Sequence, residues 1–190
     1  LPLGLPLALG SNSRFKPLSF LCKIYIWIFR GTPLMLQLWF FYFFFPFYFD
    51  ITLDAFTTAI VTYVLNYAAY FAEIYRGGIN SIDKGQYEAA YALGLSNRQT
   101  LFDIILPQTM KATLPPIVNE AITLVKDTAL VSALSVVDLM KATNSAVNRM
   151  TSLEPFFYAA VIYLIMTFIL TLVAGRLEKY FSRYDAKEEW

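Results

Sequence analysis

Histidine is absent from this sequence of 190 residues, and cysteine occurs once, at Cys22. Metal sites of the zinc type draw on several His and Cys ligands, and a disulfide bond within one chain needs two cysteines. A catalytic triad of the Ser-His-Asp type needs a histidine. The composition therefore excludes a His/Cys metal site, an internal disulfide and such a triad, and we expect neither a metal ion nor a catalytic site in this chain.

Charged residues are scarce as well. They make up 15% of the sequence, against about a quarter in an average soluble domain, and the formal net charge is +1. A surface that binds nucleic acid needs a concentrated excess of Lys and Arg, so we expect no nucleic-acid partner. Hydrophobic residues account for 57% and aromatic residues for 17% of the chain, a composition that indicates a membrane protein.

Three apolar runs are long enough to cross a membrane as helices, which takes about 20 mostly apolar residues each. They cover residues 18–49, 55–75 and 155–174. The first run suits either one steeply tilted or kinked helix, or a helix together with an interfacial piece. These runs predict a membrane-spanning helical protein.

Two further stretches are predicted to belong to spans. Residues 117–137 are apolar apart from Glu120, Lys126 and Asp127, so this stretch is predicted to cross the membrane facing protein or water instead of lipid. The opening LPLGLPLALG is too short to cross and lacks an initiator Met and a basic segment, so we interpret it as the truncated end of a first helix and not as a signal peptide. We therefore predict an all-α polytopic membrane protein with five transmembrane helices, the first incomplete.

The distribution of Lys and Arg predicts the orientation, because short cytoplasmic loops are enriched in these residues. If residues 11–17 are cytoplasmic, Lys141 and Arg149 fall outside, and the segment 45–54, which has no Lys or Arg, forms an external loop. The residues that then fall on the cytoplasmic side are Arg14, Lys16, Arg76, Lys84, Arg98, Lys111, Arg176, Lys179, Arg183 and Lys187.

One cytoplasmic segment, residues 88–108, reads EAAYALGLSNRQTLFDIILPQ and is flanked by apolar sequence. Asp83 can cap a short helix before it, and Gly94 can supply the left-handed residue that ends this helix. The small side chains of Ala89 and Ala90 are expected to give the helix a face for close approach. The segment is therefore predicted to begin with a helix that closes at a glycine turn.

The second half of the segment carries its own start signal. Ser96 and Gln99 form a capping-box pattern, which predicts a second helix that runs to Leu106 and stops near Pro107. The result is a hairpin of two short helices, which is either a packed connector between spans or a docking element. Connections between helices usually need only a few residues, so the length of this one favours docking.

The order and spacing of this segment resemble the EAA loop of ABC-importer permeases. In that family, the first helix of the loop sits in a groove of the ATP-hydrolysing subunit. The resemblance implies that residues 81–107 form a cytoplasmic coupling loop within a single permease domain, residues 1–190. The residues that the resemblance assigns to coupling are Glu88, Ala89, Ala90, Gly94, Leu106 and Pro107.

Two further motifs resemble the polar amino-acid uptake branch of these permeases. One is Arg30-Gly31-Thr32-Pro33 followed by Gln37, and the other is Asn119-Glu120 followed by Lys126-Asp127-Thr128-Ala129-Leu130. The likeness extends from residue 3 to the C-terminal tail. It implies a multi-pass subunit of the bacterial cytoplasmic (inner) membrane that passes a polar amino acid, received from an external binding protein, into the cell.

The chain contains no GxxxxGK[ST] motif, so it lacks the usual loop for ATP phosphates. The resemblance implies that ATP and Mg are bound by a separate ATPase partner, and that this chain is a permease and not itself an enzyme. It also implies a solute-binding protein, surrounding membrane lipid, and a second permease, which is either an identical copy or a paralogue. The transported amino acid stays open.

The Arg30 to Pro33 motif is a candidate for the substrate pathway. Pro33 has no amide proton and its ring crowds the carbonyl of Phe29, which predicts a kink near Gly31. Backbone carbonyls freed by a kink are tolerated at membrane depth where they are buried in protein or line a cavity. We assign Arg30, Gly31, Thr32 and Pro33 to the pathway; the alternative is a structural bend along which Arg30 snorkels.

Polar residues in the next run are also candidates. Thr62, Asn66 and Glu73 recur at helical spacing and are predicted to face the bundle interior. Asn66 is assigned to the pathway, and its alternative role is a hydrogen bond between helices. Glu73 is expected to be hydrated or paired with Arg76.

Glu120 and Asp127 are seven residues apart and therefore share one face of a helix. The pathway interpretation has Glu120, and secondarily Asp127, meeting the ammonium group or a cationic side chain of the substrate. The alternative is a structural ion pair with Lys126 or Arg30.

Other functions stay open at this point. One alternative is a permease for another small solute. A secondary transporter would be expected to show internal duplication, which is not seen, and a membrane scaffold subunit would not explain the EAA spacing.

Overall fold

A computed structural model describes residues 2–181, and the part of the chain that it describes is helical without strands. Arg183 and Lys187, which the charge distribution assigns to the cytoplasmic side, lie outside the described residues. In chain order, the α-helices are α1 (Gly4–Ser11), α2 (Lys16–Gly31), α3 (Leu34–Phe49), α4 (Ala55–Asn80), α5 (Lys84–Ala92), α6 (Asn97–Gln99), α7 (Leu106–Asp127), α8 (Leu139–Met150) and α9 (Glu154–Phe181).

Within residues 2–181, α4 and α9 are long and apolar enough to cross a membrane, and α2 with α3 makes a third candidate if the bent pair is counted as one span. The predicted all-α membrane fold is confirmed. The total of five transmembrane helices stays a prediction, because α1 is short and α7, with 22 residues, is long enough to span but less apolar than α4 and α9.

The kink predicted near Gly31 is a full break in which the axes of α2 and α3 turn by 109°. Thr32 and Pro33 both have extended backbone, with ψ of 145° and 134°. A residue before proline is sterically kept out of the α-helical region, and proline cannot donate to the preceding turn, so the two effects coincide here. The structure thus shows residues 18–49 as parts of two helices joined at a sharp bend. Whether they form one kinked span or a span with an interfacial piece stays a prediction.

Helix α4 lies at the centre of the fold, with α1, α2, α3 and α7 packed against it. Its buried face is rich in small residues, including Ala68, Ala69 and Ala72. Small side chains let neighbouring backbones approach closely, which is how helices associate in a membrane. Ala72 packs with Ala8 and Ile26, so α1 and α2 are held on the same stretch of α4.

The boundaries predicted around Pro107 were wrong. After α6 the helical backbone continues through a π-helical segment, Thr100–Ile105, directly into α7. The amide of Leu106 donates to the carbonyl of Leu101, five residues earlier. This wider turn shifts the carbonyl register just before Pro107, which has no N–H to donate, and the helix therefore passes through the proline instead of stopping there.

The limits predicted for the run at residues 117–137 were wrong as well. Helix α7 begins eleven residues earlier, at Leu106, and α-helical geometry ends at Asp127. A 3-10 segment, Thr128–Leu134, follows and ends at Ser135, which has a positive φ of 62°. Glu120 and Asp127 therefore lie on the second half of one helix that starts in the predicted cytoplasmic hairpin.

Candidate functional site

The hairpin predicted between α4 and α7 begins as expected. Asp83 Oδ1 accepts a hydrogen bond from the amide of Gly85 and caps α5. At the other end Gly94 has a φ of +74°, and the amides of Gly94 and Leu95 donate to the carbonyls of Tyr91 and Ala90 at 3.0 and 3.1 Å. This is the glycine-closed ending that a left-handed residue produces, so the predicted glycine turn is confirmed.

The capping box that starts the second arm is also present. The Gln99 amide donates to Ser96 Oγ at 3.4 Å, and the Ser96 amide donates to Gln99 Oε1 at 3.0 Å. The two arms of the hairpin are joined by a hydrogen bond of 3.2 Å from Gln108 Nε2 to Gln86 Oε1. Local hydrogen bonds thus define both the turn and the spacing of the arms.

The hairpin has an inner and an outer side, and this separates the two alanines of the motif. Ala90 is 1% exposed on the short helix that packs against the other arm of the hairpin, Thr100–Ile105, whereas Ala89 and Glu88 are exposed. Tyr91 and Leu93 are 84% and 79% exposed on and just after the same short helix. The expectation that Ala89 and Ala90 give one face for close approach was wrong: Ala90 is buried, and Ala89 is exposed together with Glu88.

The remaining residues assigned to coupling lie at the start of α7. Leu106 and Pro107 are exposed, and the preceding Ile105 is 2% exposed. Tyr91 was missed from the sequence, because its exposure and its nearness to the exposed Leu93 are visible only in the fold. The outer side of the hairpin therefore combines polar and apolar side chains.

The bend between α2 and α3 is enclosed by a hydrogen-bond network. The carbonyl of Phe29 accepts from Gln37 Nε2 at 2.9 Å and from Asn66 Nδ2 at 3.1 Å. Asn66 Nδ2 also donates to Gln37 Oε1 at 2.9 Å. Gln37 and Asn66 are 6% and 3% exposed, so the carbonyl freed by the proline is buried in protein. Asn66 therefore makes the hydrogen bond between helices that was its alternative role, and Gln37 is a member of the network that the sequence did not reveal.

The residues of the Arg30 to Pro33 motif point in different directions. Thr32 Oγ1 donates to the carbonyl of Ile28 and accepts from Gln37 Nε2, both at 2.8 Å. Thr32 and Gln37 also line a largely apolar cavity of about 430 Å³ between α2 and α3. Gly31 and Pro33 shape the break itself and do not line this cavity.

Arg30 lies apart from that cavity. Its guanidinium Nη1 is 3.8 Å from Glu73 Oε1, and its guanidinium carbon stands 5.5 Å from the centre of the Tyr70 ring. Arg76 Nε donates to Glu73 Oε2 at 3.0 Å, and Arg76 Nη2 to Glu73 Oε1. The expected pairing of Glu73 with Arg76 is confirmed, and Arg30 joins it.

A groove between α4 and α7, of about 390 Å³, contains Glu120. Its walls are mostly apolar and aromatic, and Tyr63, Tyr67 and Phe71 come from α4. Asp127 does not line the groove. Its carboxylate Oδ2 accepts a hydrogen bond of 2.8 Å from the Tyr67 hydroxyl. The hydroxyl of Tyr63 donates to the Asp127 carbonyl. The two acids of α7 thus have different surroundings.

The structural ion pair considered for these acids was wrong. In residues 2–181 the ion pairs join Glu73 to Arg30 and to Arg76, and neither Glu120 nor Asp127 takes part. Nor do the described residues contain a group of three His, Cys, Asp or Glu side chains that could hold a metal ion. The carboxylate of Glu120 therefore lies on the groove wall without an ion-pair partner among the described residues.

Comparison with known proteins identifies a matching family. The model of the family described as binding-protein-dependent transport system inner membrane component matches residues 1–183. The arginine transport system permease protein ArtQ of Bacillus subtilis (strain 168) is 41% identical over 184 residues, covering 96% of this chain and 84% of that protein. The L-cystine transport system permease protein TcyB of the same organism is 40% identical over 187 residues, covering 97% and 80%. A putative glutamine transport system permease protein GlnP of Rickettsia felis is 37% identical over 180 residues, covering 94% and 83%.

Solved structures agree with the sequence comparison. The crystal structure of an amino acid ABC transporter with histidines has a chain of 34% identity and a TM-score of 0.87, covering 94% of this chain and 83% of that one. An inward facing structure of the MetNI methionine ABC transporter has a TM-score of 0.75 at 18% identity, covering 95% and 84%, which is a likeness of fold alone.

Proposed function

The chain belongs to the family of binding-protein-dependent transport system inner membrane components, and we propose that it is the permease subunit of an ATP-driven importer for a polar amino acid. The observation that carries this proposal is the match along nearly the whole chain, in sequence and in fold, to a solved amino acid ABC transporter. Relatives that are permeases for arginine, cystine and glutamine support an amino acid as the substrate.

The outer side of the hairpin is the surface that we assign to the ATPase partner. Glu88, Ala89, Tyr91 and Leu93 are exposed there, while Ala90 and the Gly94 turn hold its shape. Leu106 and Pro107 continue this surface at the start of α7. Since the sequence has no phosphate-binding loop of the usual type, ATP and Mg²⁺ are bound by that partner, and this chain transmits its movement without catalysing hydrolysis.

The groove with Glu120 is the part of the chain that we assign to substrate passage. A carboxylate on an apolar wall attracts a cation, and every free amino acid carries an α-ammonium group. Asp127, which accepts a hydrogen bond from Tyr67, adds negative charge near this groove without lining it. We assign the bend at Gly31 and Pro33 to the same passage, with Thr32 and Asn66 holding its shape through their hydrogen bonds.

Further subunits complete the proposal. They are a second permease, identical or paralogous, and an external solute-binding protein that delivers the amino acid, at the cytoplasmic membrane of a bacterium. The orientation inferred from Lys and Arg places the hairpin in the cytoplasm, on the side of the ATPase.

The proposal is tested by transport with a defined set of components. The chain would be reconstituted in liposomes with its ATPase and binding protein, and uptake of labelled arginine, cystine and glutamine would be followed with and without ATP. We expect uptake of at least one amino acid that requires both ATP and the ATPase. Uptake driven by an ion gradient without the ATPase would indicate a secondary transporter instead, and ATP-driven uptake of a solute of another class would overturn the amino-acid assignment.

A further inference from the structure

Helix α2 carries a stripe of basic and aromatic side chains. Successive members are separated by four, three, four and three residues, which places them on one face of the helix. The opposite face, with Ser19, Cys22 and Ile26, is buried against α1 and α4. The members of the stripe, all exposed, are Lys16, Phe20, Lys23, Trp27 and Arg30.

The C-terminal part of this stripe lines a groove of about 310 Å³ between α2 and α4, which is separate from the groove of Glu120. Lys23, Trp27 and Arg30 line it from α2, and Glu73 and Arg76 line it from α4. The charged side chains of this lining are three cations and one carboxylate, so a net charge of +2 remains. We call it the basic groove.

The one carboxylate in this lining, that of Glu73, already has cationic partners. Glu73 pairs with Arg76 and, at 3.8 Å, with Arg30. Within the part of the chain that the structure describes, Lys23 has neither a hydrogen bond nor an ion pair. Lys23 is exposed on the wall of the groove, and the groove keeps a net positive charge, so an anion from outside the chain is attracted to it.

The position of the basic groove identifies the source of that anion. Arg76 lies near the end of α4 that the Lys and Arg distribution assigns to the cytoplasmic side. Trp27 is 75% exposed beside the cations. Tryptophan side chains at a membrane surface lie at headgroup level, with the ring partly in the apolar layer. Basic pockets between membrane helices on the cytoplasmic side suit the headgroups of anionic lipids.

We propose that the basic groove binds the phosphate of an anionic phospholipid from the cytoplasmic leaflet. Lys23, Arg30 and Arg76 contact the phosphate, and Trp27 lies along the glycerol and the upper acyl chain. Glu73 competes with the lipid for both arginines, so it limits the affinity of the groove. The proposal depends on the membrane orientation and is independent of the amino acid transported and of the ATPase.

The test measures retention of phosphatidylglycerol by the purified full chain in detergent, with phosphatidylcholine of the same acyl chains as the reference, by native mass spectrometry. Lys23→Gln removes one groove cation and is expected to lower phosphatidylglycerol binding about fivefold, since one surface cation contributes about 1 kcal/mol to such binding. Lys16→Gln is the matched control, because it removes the same charge from the same stripe outside the groove and leaves binding within about twofold.

Glu73→Gln provides a result of opposite sign. It frees both arginines for the lipid and is expected to raise phosphatidylglycerol binding, whereas mere damage to the fold would lower it. Equal retention of both lipids, or equal losses in Lys23→Gln and Lys16→Gln, would overturn the proposal. Complete displacement of the lipid by millimolar inorganic phosphate would assign the groove to a free anion and overturn the lipid assignment. Cross-linking of Lys23→Cys to a second copy, without lipid retention, would assign it to a permease interface.

Discussion

The side-chain amide of Asn66 on α4 donates a hydrogen bond of 3.1 Å to the backbone carbonyl of Phe29 on α2. In an unbroken helix this carbonyl would accept from the amide of residue 33, but Pro33 has no N–H. Gln37 donates to the same oxygen at 2.9 Å. A neighbouring helix therefore supplies a hydrogen bond in place of the one that the proline removes. The bend between α2 and α3 is stabilised by Asn66 from α4 and by Gln37 from α3 itself.

Asn66→Ala is expected to destabilise the chain by about 1–2 kcal/mol, because the Phe29 carbonyl loses a donor and Gln37 Oε1 loses its partner in a buried place. Thermal unfolding of the purified protein in detergent measures this as a lower midpoint. Asn80→Ala is the matched control, since Asn80 is exposed at the end of the same helix. Equal midpoints for the two variants would show that Gln37 alone is enough to satisfy the bend.

A second prediction concerns the crossing of α4 and α7 just before the hairpin. A Cβ atom on Gly78 would collide with the Cγ2 methyl of Thr113, while one on Gly77 would meet no described atom within 4 Å. Gly78→Ala is therefore expected to cost about 1–3 kcal/mol by overpacking, and Gly77→Ala to be neutral or slightly stabilising in a helix.

The cause can be separated from other effects by a second substitution. Thr113→Ser removes the colliding methyl and retains the hydroxyl, which donates to the Met110 carbonyl. We expect the double variant Gly78→Ala, Thr113→Ser to unfold at a higher temperature than Gly78→Ala alone. If the second substitution adds its own loss instead, the two helices do not cross at this contact.

The ends of the hairpin and the bend could be predicted from the sequence because they depend on neighbours within a few residues. Asp83 caps α5 locally, Gly94 adopts a backbone region that other residues avoid, and Pro33 lacks a donor wherever it stands. Such rules hold without knowledge of the rest of the fold. The resemblance to the permease family depended on the same short motifs.

The errors arose where distant packing decides the outcome. Pro107 is typical of a helix stop, but the π segment before it lets the helix continue. Ile105 at the end of this segment and Thr109 in α7 are buried, at 2% and 7% exposure, so packing holds the helix on both sides of the proline. Helical spacing placed Glu120 and Asp127 on one face of α7. It could not reveal that Tyr67, 60 residues before Asp127, would engage one acid and leave the other on a groove wall.

The inferred orientation predicts opposite results for two reporter positions. A reporter inserted after Asp50, between α3 and α4, is expected to read as external, and one after Asn97, in the hairpin, as cytoplasmic. Labelling of a single cysteine by a membrane-impermeant reagent in intact cells would serve as the measurement. A cytoplasmic signal at Asp50 would reverse the orientation and remove the hairpin from the side of the ATPase.

Glu120→Gln is expected to lower ATP-driven uptake of substrates whose ammonium or cationic side chain meets this carboxylate, with assembly and basal ATP hydrolysis unchanged. A charge-assisted hydrogen bond contributes about 1.5–3 kcal/mol, which corresponds to a loss of at least about tenfold in apparent affinity. Glu154→Gln makes the same chemical change at an exposed position at the start of α9 and serves as the control. Unchanged uptake of every amino acid by Glu120→Gln would assign Glu120 a structural role.

The hairpin offers the sharpest test of coupling, because its shape and its contact surface can be changed separately. Gly94 has a φ of +74°, and a Cβ atom placed there would meet no described atom within 4 Å, so a side chain is disfavoured by the backbone alone. That cost is roughly 1–2 kcal/mol, and it is larger for a β-branched residue. Gly77→Val is the matched control, since Gly77 has equally open space on a regular helix.

Gly94→Val is therefore expected to weaken co-purification of the ATPase and to reduce substrate-stimulated ATP turnover, while Gly77→Val retains both. Glu88→Ala tests the surface instead of the shape, because Glu88 is exposed and its carboxylate can accept charge-assisted hydrogen bonds from a partner, worth about 1.5–3 kcal/mol each. We expect a loss of at least about tenfold in ATPase affinity for Glu88→Ala and none for Glu154→Ala, which lies on the external side in the inferred orientation. Membrane insertion depends on the long apolar helices, which the two hairpin substitutions do not touch. Wild-type co-purification and turnover in both Gly94→Val and Glu88→Ala would mean that the hairpin only connects α4 to α7.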